Sequence, residues 1–223
     1  MKDYLKRQQK LFTKKQQKQL EGLKVMVAGT GGLGTNQALQ LQRVGVNKIY
    51  LYDYDQVEIT NLNRQLCYGR QDIGRPKVEA AEEFLKKFDL ETEIISRNEK
   101  ITLQTEVPED IDIIFDGMDN FESRFILDQL ALENGLPFIH AGIEEFFAQI
   151  MLVLPQSKLR LKDVFAGSEK KETPAVFSPA VTVTASIQVL EAIKYLLQFD
   201  DYLKEQLLHI DLLSNQFEKI DLD

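Results

Sequence analysis

The chain has 223 residues, 43% of them apolar, which suffices for one substantial core; without a long polar linker, a single domain over 1–223 is expected. A formal net charge of −8 offers no footprint for a polyanion, so nucleic acid is not an expected partner. The lone cysteine, Cys67, excludes an intramolecular disulfide and any zinc site made from two Cys-x-x-Cys pairs, so no zinc is expected.

Residues 2–18 carry Lys2, Lys6, Arg7, Lys10, Lys14, Lys15 and Lys18 against Asp3 alone, with Tyr4/Leu11 and Leu5/Phe12 at heptad spacing. This pattern predicts a basic amphipathic helix over 1–20. No secretory-type apolar stretch follows it, and no segment has the apolar length of a membrane span, so a cytoplasmic protein without membrane contact is expected.

KVMVA (24–28) reads as a buried strand, LGTNQALQLQRVG (33–45) as a helix stopped by Gly45, and NKIYLYD (47–53) as the next strand. Between them, Gly29, Gly31 and Gly34 form a G-x-G-x-x-G fingerprint, and Asp53 closes the second strand at the distance expected of its acidic partner. Glycine lets the backbone approach a phosphate, and the helix N-terminus favours negative charge there. A carboxylate at the neighbouring strand end can accept ribose hydroxyls. A nucleotide site is therefore expected.

Residues 54–75 are polar and aperiodic, too long a connection to be merely structural, and PKVEAAEEFLKKF (76–88) opens a helix with Pro76 in its first turn. That loop and the GRPK after it bring Asp55, Asn61, Asn63, Arg64, Gln65 and Lys77 beyond the nucleotide strand. Hydride transfer needs no guanidinium and ammonium there, whereas a departing pyrophosphate does. Strands over 91–98 and 111–119, a helix over 121–135 and a strand over 136–142 continue a β-α-β-α alternation, the signature of an α/β, Rossmann-like doubly wound, mostly parallel sheet. Asp116 and Asp119 flank Gly-Met near the crevice mouth, where a carboxylate can hold magnesium together with phosphates.

The last third predicts a strand at 148–155, a polar crossover loop at 156–178, a long helix at 180–198 and a hairpin from 207–212 and 217–222, an antiparallel C-terminal extension. Thr182, Thr184, Ser186, Gln188, Glu191 and Lys194 make 180–198 a core helix, not a membrane anchor. Cys67 reads as a small semi-buried side chain in place of a nucleophile, His140 as a hydrogen-bonded, half-buried histidine, and His209 has no evident role.

GTGGLG, YDYDQVEITNLNRQ, GRPK and DGMDNFESR resemble, in order, the adenylation domain of the ThiF/MoeB/HesA family, relatives of ubiquitin-activating enzymes, across about residues 4–222. The resemblance implies that ATP activates the C-terminal glycine of a ubiquitin-fold sulfur carrier ending in Gly-Gly as an acyl adenylate, with magnesium as cofactor. It implies that Gly31 and Gly32 approach the phosphates, that Asp53 takes the ribose, that Asn61, Arg64, Gln65 and Lys77 face the phosphates with Asp55 beside them, and that Asp119 holds the metal. YLKRQ resembles the family's opening, which implies that Arg7 reaches into a partner subunit's site and hence a homodimer. The chain departs from the family in lacking the zinc-binding cysteines and any cysteine over 155–178, which implies the zinc-free branch and chemistry that stops at the adenylate. Met118 stands where Thr is common, and Asp128 where Asn is common. Competing readings are a small molecule, peptide or tRNA base as acceptor, a catalytically silent scaffold, and a plain NAD dehydrogenase.

Overall fold

A computed structural model describes residues 2–168 and 175–222. Its centre is an eight-stranded sheet of order β3-β2-β1-β4-β5-β6-β7-β8, with β1 Lys24–Ala28, β2 Lys48–Asp53, β3 Glu93–Asn98, β4 Ile113–Asp116, β5 Phe138–Glu144, β6 Phe147–Val153, β7 Gln206–Asp211 and β8 Gln216–Asp221. The strands β1 to β5 pair in parallel, whereas β6, β7 and β8 join antiparallel. The doubly wound sheet with an antiparallel extension is thus as the alternation predicted.

Strand alternation sorts the core into two layers. Val25, Val27, Ile49 and Leu51 turn toward helices α2 (Gly32–Val44), α3 (Lys77–Lys86) and α6 (Ser178–Leu196). Met26, Ala28, Tyr50 and Tyr52 turn to the other face, where α4 (Phe121–Glu133) and the short α5 (Leu161–Val164) lie. Covering both faces is what makes Val25–Ala28 apolar without interruption. The strand order reverses between β1 and β4, and the crevice beyond the carboxyl ends there is where doubly wound sheets bind ligands.

The N-terminal stretch corrects the expectation of one helix over 1–20. Asp3–Leu5 is a single 3-10 turn, and α1 occupies only Lys14–Leu20. Thr13 adopts extended backbone and forms a capping box with Gln16, which starts the helix there. Leu5 packs under Gly45, while Leu11 stays 72% exposed, so the heptad pair makes no continuous buried stripe. Pro76 caps α3 from outside its first turn. The crossover is not loop throughout, since α5 forms within it; residues 169–174, including Pro174, lie outside the described residues. Among the described residues no helix is long and apolar enough to cross a membrane.

Candidate active site

The glycine-rich turn follows β1 and is built by close backbone contacts. Gly29 sits at φ +90° with its Cα against the carbonyl of Gly117, so that a Cβ would lie 2.7 Å from that oxygen. Gly34 is more crowded, since a Cβ there would lie 1.8 Å from the Gly29 carbonyl oxygen. It joins helix to strand and does not line the cavity described below. Asp53, at the end of β2, braces the turn: its Oδ2 accepts from the Thr30 amide at 2.7 Å and hydroxyl at 3.0 Å, and its Oδ1 accepts from the Asp55 amide at 2.9 Å. The Tyr68 hydroxyl, its pKa raised by burial, donates to the Thr30 carbonyl at 2.8 Å.

Above this turn opens a cavity of about 830 Å3, within the range of small-molecule sites. Gly29, Gly31, Gly32, Asp53, Asp55, Arg64, Gln65, Lys77 and Asp119 all line it, though they come from five separate stretches of sequence. Lys77 heads α3, only 7% exposed, with its ammonium 2.8 Å from Asp55 Oδ2. Arg64 donates to the Thr60 carbonyl at 3.0 Å and to Asn63 Oδ1 at 2.8 Å, a tether that leaves most of the guanidinium donors for a ligand. Gln65 is buried, has no hydrogen-bond partner for its amide oxygen, and lines the same cavity.

Besides Gly34, two predicted residues stand apart from the lining. Asn61 turns inward, its Oδ1 accepting from the Glu58 amide at 3.0 Å and its carbonyl from the Arg64 and Gln65 amides, so it shapes the loop that presents those two. Arg7 is exposed in the segment packed at the Gly45 end of α2, whereas the cavity lies at the Gly32 end. A helix of 13 residues separates the two, or roughly 20 Å. Within one chain Arg7 is far from the cavity.

Asp116 corrects the view of both carboxylates as mouth residues. It is fully buried, 2.6 Å from His140 Nδ1 and 3.3 Å from Arg124 Nε, an ion-pair distance without hydrogen-bond alignment. Asp119 is exposed on the rim and accepts from Asn120 Nδ2 at 3.0 Å. Among the described residues no cluster of three or more His, Cys, Asp or Glu could hold a metal alone. One rim carboxylate suits magnesium, which commonly takes one or two carboxylates together with substrate phosphates.

His140 is fully buried, not half-buried: burial lowers its pKa although the adjacent Asp116 carboxylate pulls the other way. His209 stacks on Phe147, ring centroids 6.3 Å apart. Sequence reasoning missed Arg124 and Gln149, both of which line the cavity. The signal for Gln149 was its interruption of the apolar run FFAQIMLVL.

Cys67 is 2% exposed, and burial pushes its thiol up to about 12. At pH 8 its thiolate would then be about one part in ten thousand. A thiol-exchange reagent should leave the folded protein unmodified for hours and react fully in denaturant. Rapid native-state labelling would contradict the packing.

The sequence profile of the ThiF family matches residues 5–223. This chain is a member of the ThiF family. It is 32% identical over 188 residues to the sulfur carrier protein ThiS adenylyltransferase of Bacillus subtilis, covering 81% of this chain and 56% of that protein. The SAMP-activating enzyme E1 of Haloferax volcanii is 29% identical over 205 residues, 88% of this chain and 76% of that one. E. coli MccB, solved with MccA-N7isoASN, superimposes with a TM-score of 0.84 at 26% identity over 93% of this chain and 66% of MccB. This ThiF-family chain spans about half the length of several relatives, 56% and 49% in two cases.

Proposed function

We propose that this ThiF-family chain adenylates the C-terminal glycine of a ubiquitin-fold sulfur carrier ending in Gly-Gly. The observation that carries the reading is the gathering of Arg64, Gln65, Lys77 and Asp119 around one cavity floored by the glycine-rich turn. A carboxylate oxygen of the carrier attacks the α-phosphorus of ATP. The bond from that phosphorus to the bridging oxygen breaks, and pyrophosphate carries away the electron pair. Arg64 and Lys77, already held by hydrogen bonds to Thr60, Asn63 and Asp55, would meet the charge that gathers on the leaving group. Magnesium bound by Asp119 and phosphate oxygens would supply further neutralisation of the triphosphate.

Isotope exchange between ATP and pyrophosphate should depend on a Gly-Gly-ended carrier. Its absence with every cognate carrier, in protein shown to bind ATP, would sink the reading. A second reading, with a peptide, small molecule or tRNA base as acceptor, draws on the fold shared with MccB, solved with MccA-N7isoASN. Exchange driven by such an acceptor and by no carrier selects it.

The assembly proposed is a homodimer in which Arg7 serves the partner subunit's site. Its distance from its own cavity and the exposed Val183 and Leu190, seven residues apart on α6, support this. Arg7→Ala and Lys77→Ala homodimers should both be inactive, and subunits exchanged between them should recover about a quarter of wild-type exchange, one intact site in half the dimers. No recovery from demonstrably mixed dimers removes the role in trans.

A further inference from the structure

A polar chain runs through the apolar layer beneath the cavity. His140 and Asp116 extend the register of β5 and β4, both are fully buried, and the imidazole lies against the rings of Phe165 and Phe121, centroids 5.3 and 6.2 Å away. Asp116 Oδ1 accepts from the Met118 amide at 2.8 Å, and Oδ2 lies 2.6 Å from His140 Nδ1. On the far side of the ring, Gln149 Nε2 is 3.3 Å from His140 Nε2.

Chemistry orients every member. A carboxylate only accepts, so His140 Nδ1 carries the proton toward Asp116. Burial lowers the pKa of the imidazole and so favours the neutral ring, whose Nε2 is then a lone pair that accepts a hydrogen bond, and the polar group within reach of it is the Gln149 amide. Gln149 must therefore turn its NH2 inward, and its carbonyl oxygen is the acceptor that remains. Gly142, opposite Gln149 in the β5–β6 pairing, makes room: a Cβ there would lie 3.0 Å from Gln149 Nε2 and 3.2 Å from its Cγ. A buried histidine in this place is structurally expensive unless both ring nitrogens are used.

Gln149 lines the cavity from the β5–β6 side, across β4 from the glycine-rich turn and Asp53. With a nucleotide over β1 and β2, that side is left for the acceptor. We propose that Gln149, oriented by His140 and Asp116, is a specificity-determining residue whose amide carbonyl accepts a backbone N–H of the acceptor. It thereby favours a carboxylate at the end of a peptide chain over a simple carboxylic acid. His140 is a positioning residue acting through Gln149. This rests on the carboxyl-activating reading of the site.

The test measures exchange with the full chain at saturating ATP, using a Gly-Gly-ended ubiquitin-fold carrier as varied acceptor. Gln149→Leu should raise the acceptor KM about tenfold, the value of one hydrogen bond, and leave the ATP KM within about twofold. His140→Leu should move the acceptor KM in the same direction. His140→Gln, whose amide can donate to Asp116 and accept from Gln149, should restore it to within about threefold. Should His140→Leu fail to fold, Gln149→Leu on the cavity wall decides. An unchanged acceptor KM in Gln149→Leu, or equal rises in both KM values, overturns the inference while the adenylation reading stands. Loss of exchange in the unaltered protein brings down that reading instead. Independently of turnover, 15N chemical shifts should show His140 neutral with its proton on Nδ1. A proton on Nε2 overturns the relay.

Discussion

Lys77→Ala should lower carrier-dependent ATP/pyrophosphate exchange by about 10²–10³-fold, with the melting temperature nearly unchanged. Lys77 is 7% exposed and its ammonium lies 2.8 Å from Asp55 Oδ2, so it enters the cavity as part of a neutral pair. Truncation removes the cation and leaves Asp55, its side chain 49% exposed, facing the same space. On the proposed reading a triphosphate would then meet a carboxylate in place of a balanced pair, so the substitution would both remove attraction and add repulsion. The stability cost is small because water can solvate the stranded carboxylate. Lys77→Arg should recover only part of the rate, since a planar fork does not replace a compact ammonium. Initial rates of isotope exchange alongside thermal unfolding would check this. Exchange within threefold of wild type in a folded Lys77→Ala protein would remove Lys77 from the mechanism.

Gly34→Ala should be the most damaging single methyl addition in the nucleotide-binding half, costing more than about 3 kcal/mol of stability. The added Cβ would fall 1.8 Å from the Gly29 carbonyl oxygen, and that oxygen belongs to backbone held by further contacts. Gly29 donates to the Tyr52 carbonyl at 2.7 Å, and Gly117 donates to the Ala28 carbonyl at 2.8 Å. No rotamer relieves such a clash. Either α2 lifts from β1 or the turn opens, and both outcomes disperse the groups above it. Denaturant melts should show the loss. By contrast Gly74→Ala, with nothing within 4 Å of the new atom but a φ of +85°, should cost only about 1 kcal/mol of backbone strain. If Gly34→Ala melts like wild type, the close packing of helix and strand is wrong.

Much of the architecture was legible because it rests on local signals. Val25–Ala28 and Ile49–Tyr52 are apolar on both faces, and Gly45 ends α2 at φ +93° as its place in the sequence suggests. The last hairpin shows its period of two. Arg64, Lys77 and Asp119 could be singled out because short motifs carry them, and the fold brings them to one cavity. The N-terminal helix was misjudged because heptad spacing suggested a continuous stripe, whereas the Thr13–Gln16 capping box sets a start within it. Whether Asp116 or Asp119 reaches solvent depends on what packs over each, and three residues of spacing do not contain that information.

The order of residues along this ThiF-family chain was enough to determine the sheet, its turn of glycines and the cation-bearing loop, since backbone conformation and hydrophobic period are set by near neighbours. Only the tertiary structure decided that Gly34 packs while Gly31 lines the cavity, that Asp116 is bound to His140, and that Gln149 joins the wall. Those outcomes depend on contacts between segments far apart in sequence, where burial and hydrogen-bond partners are settled by how β4, β5 and β6 lie side by side.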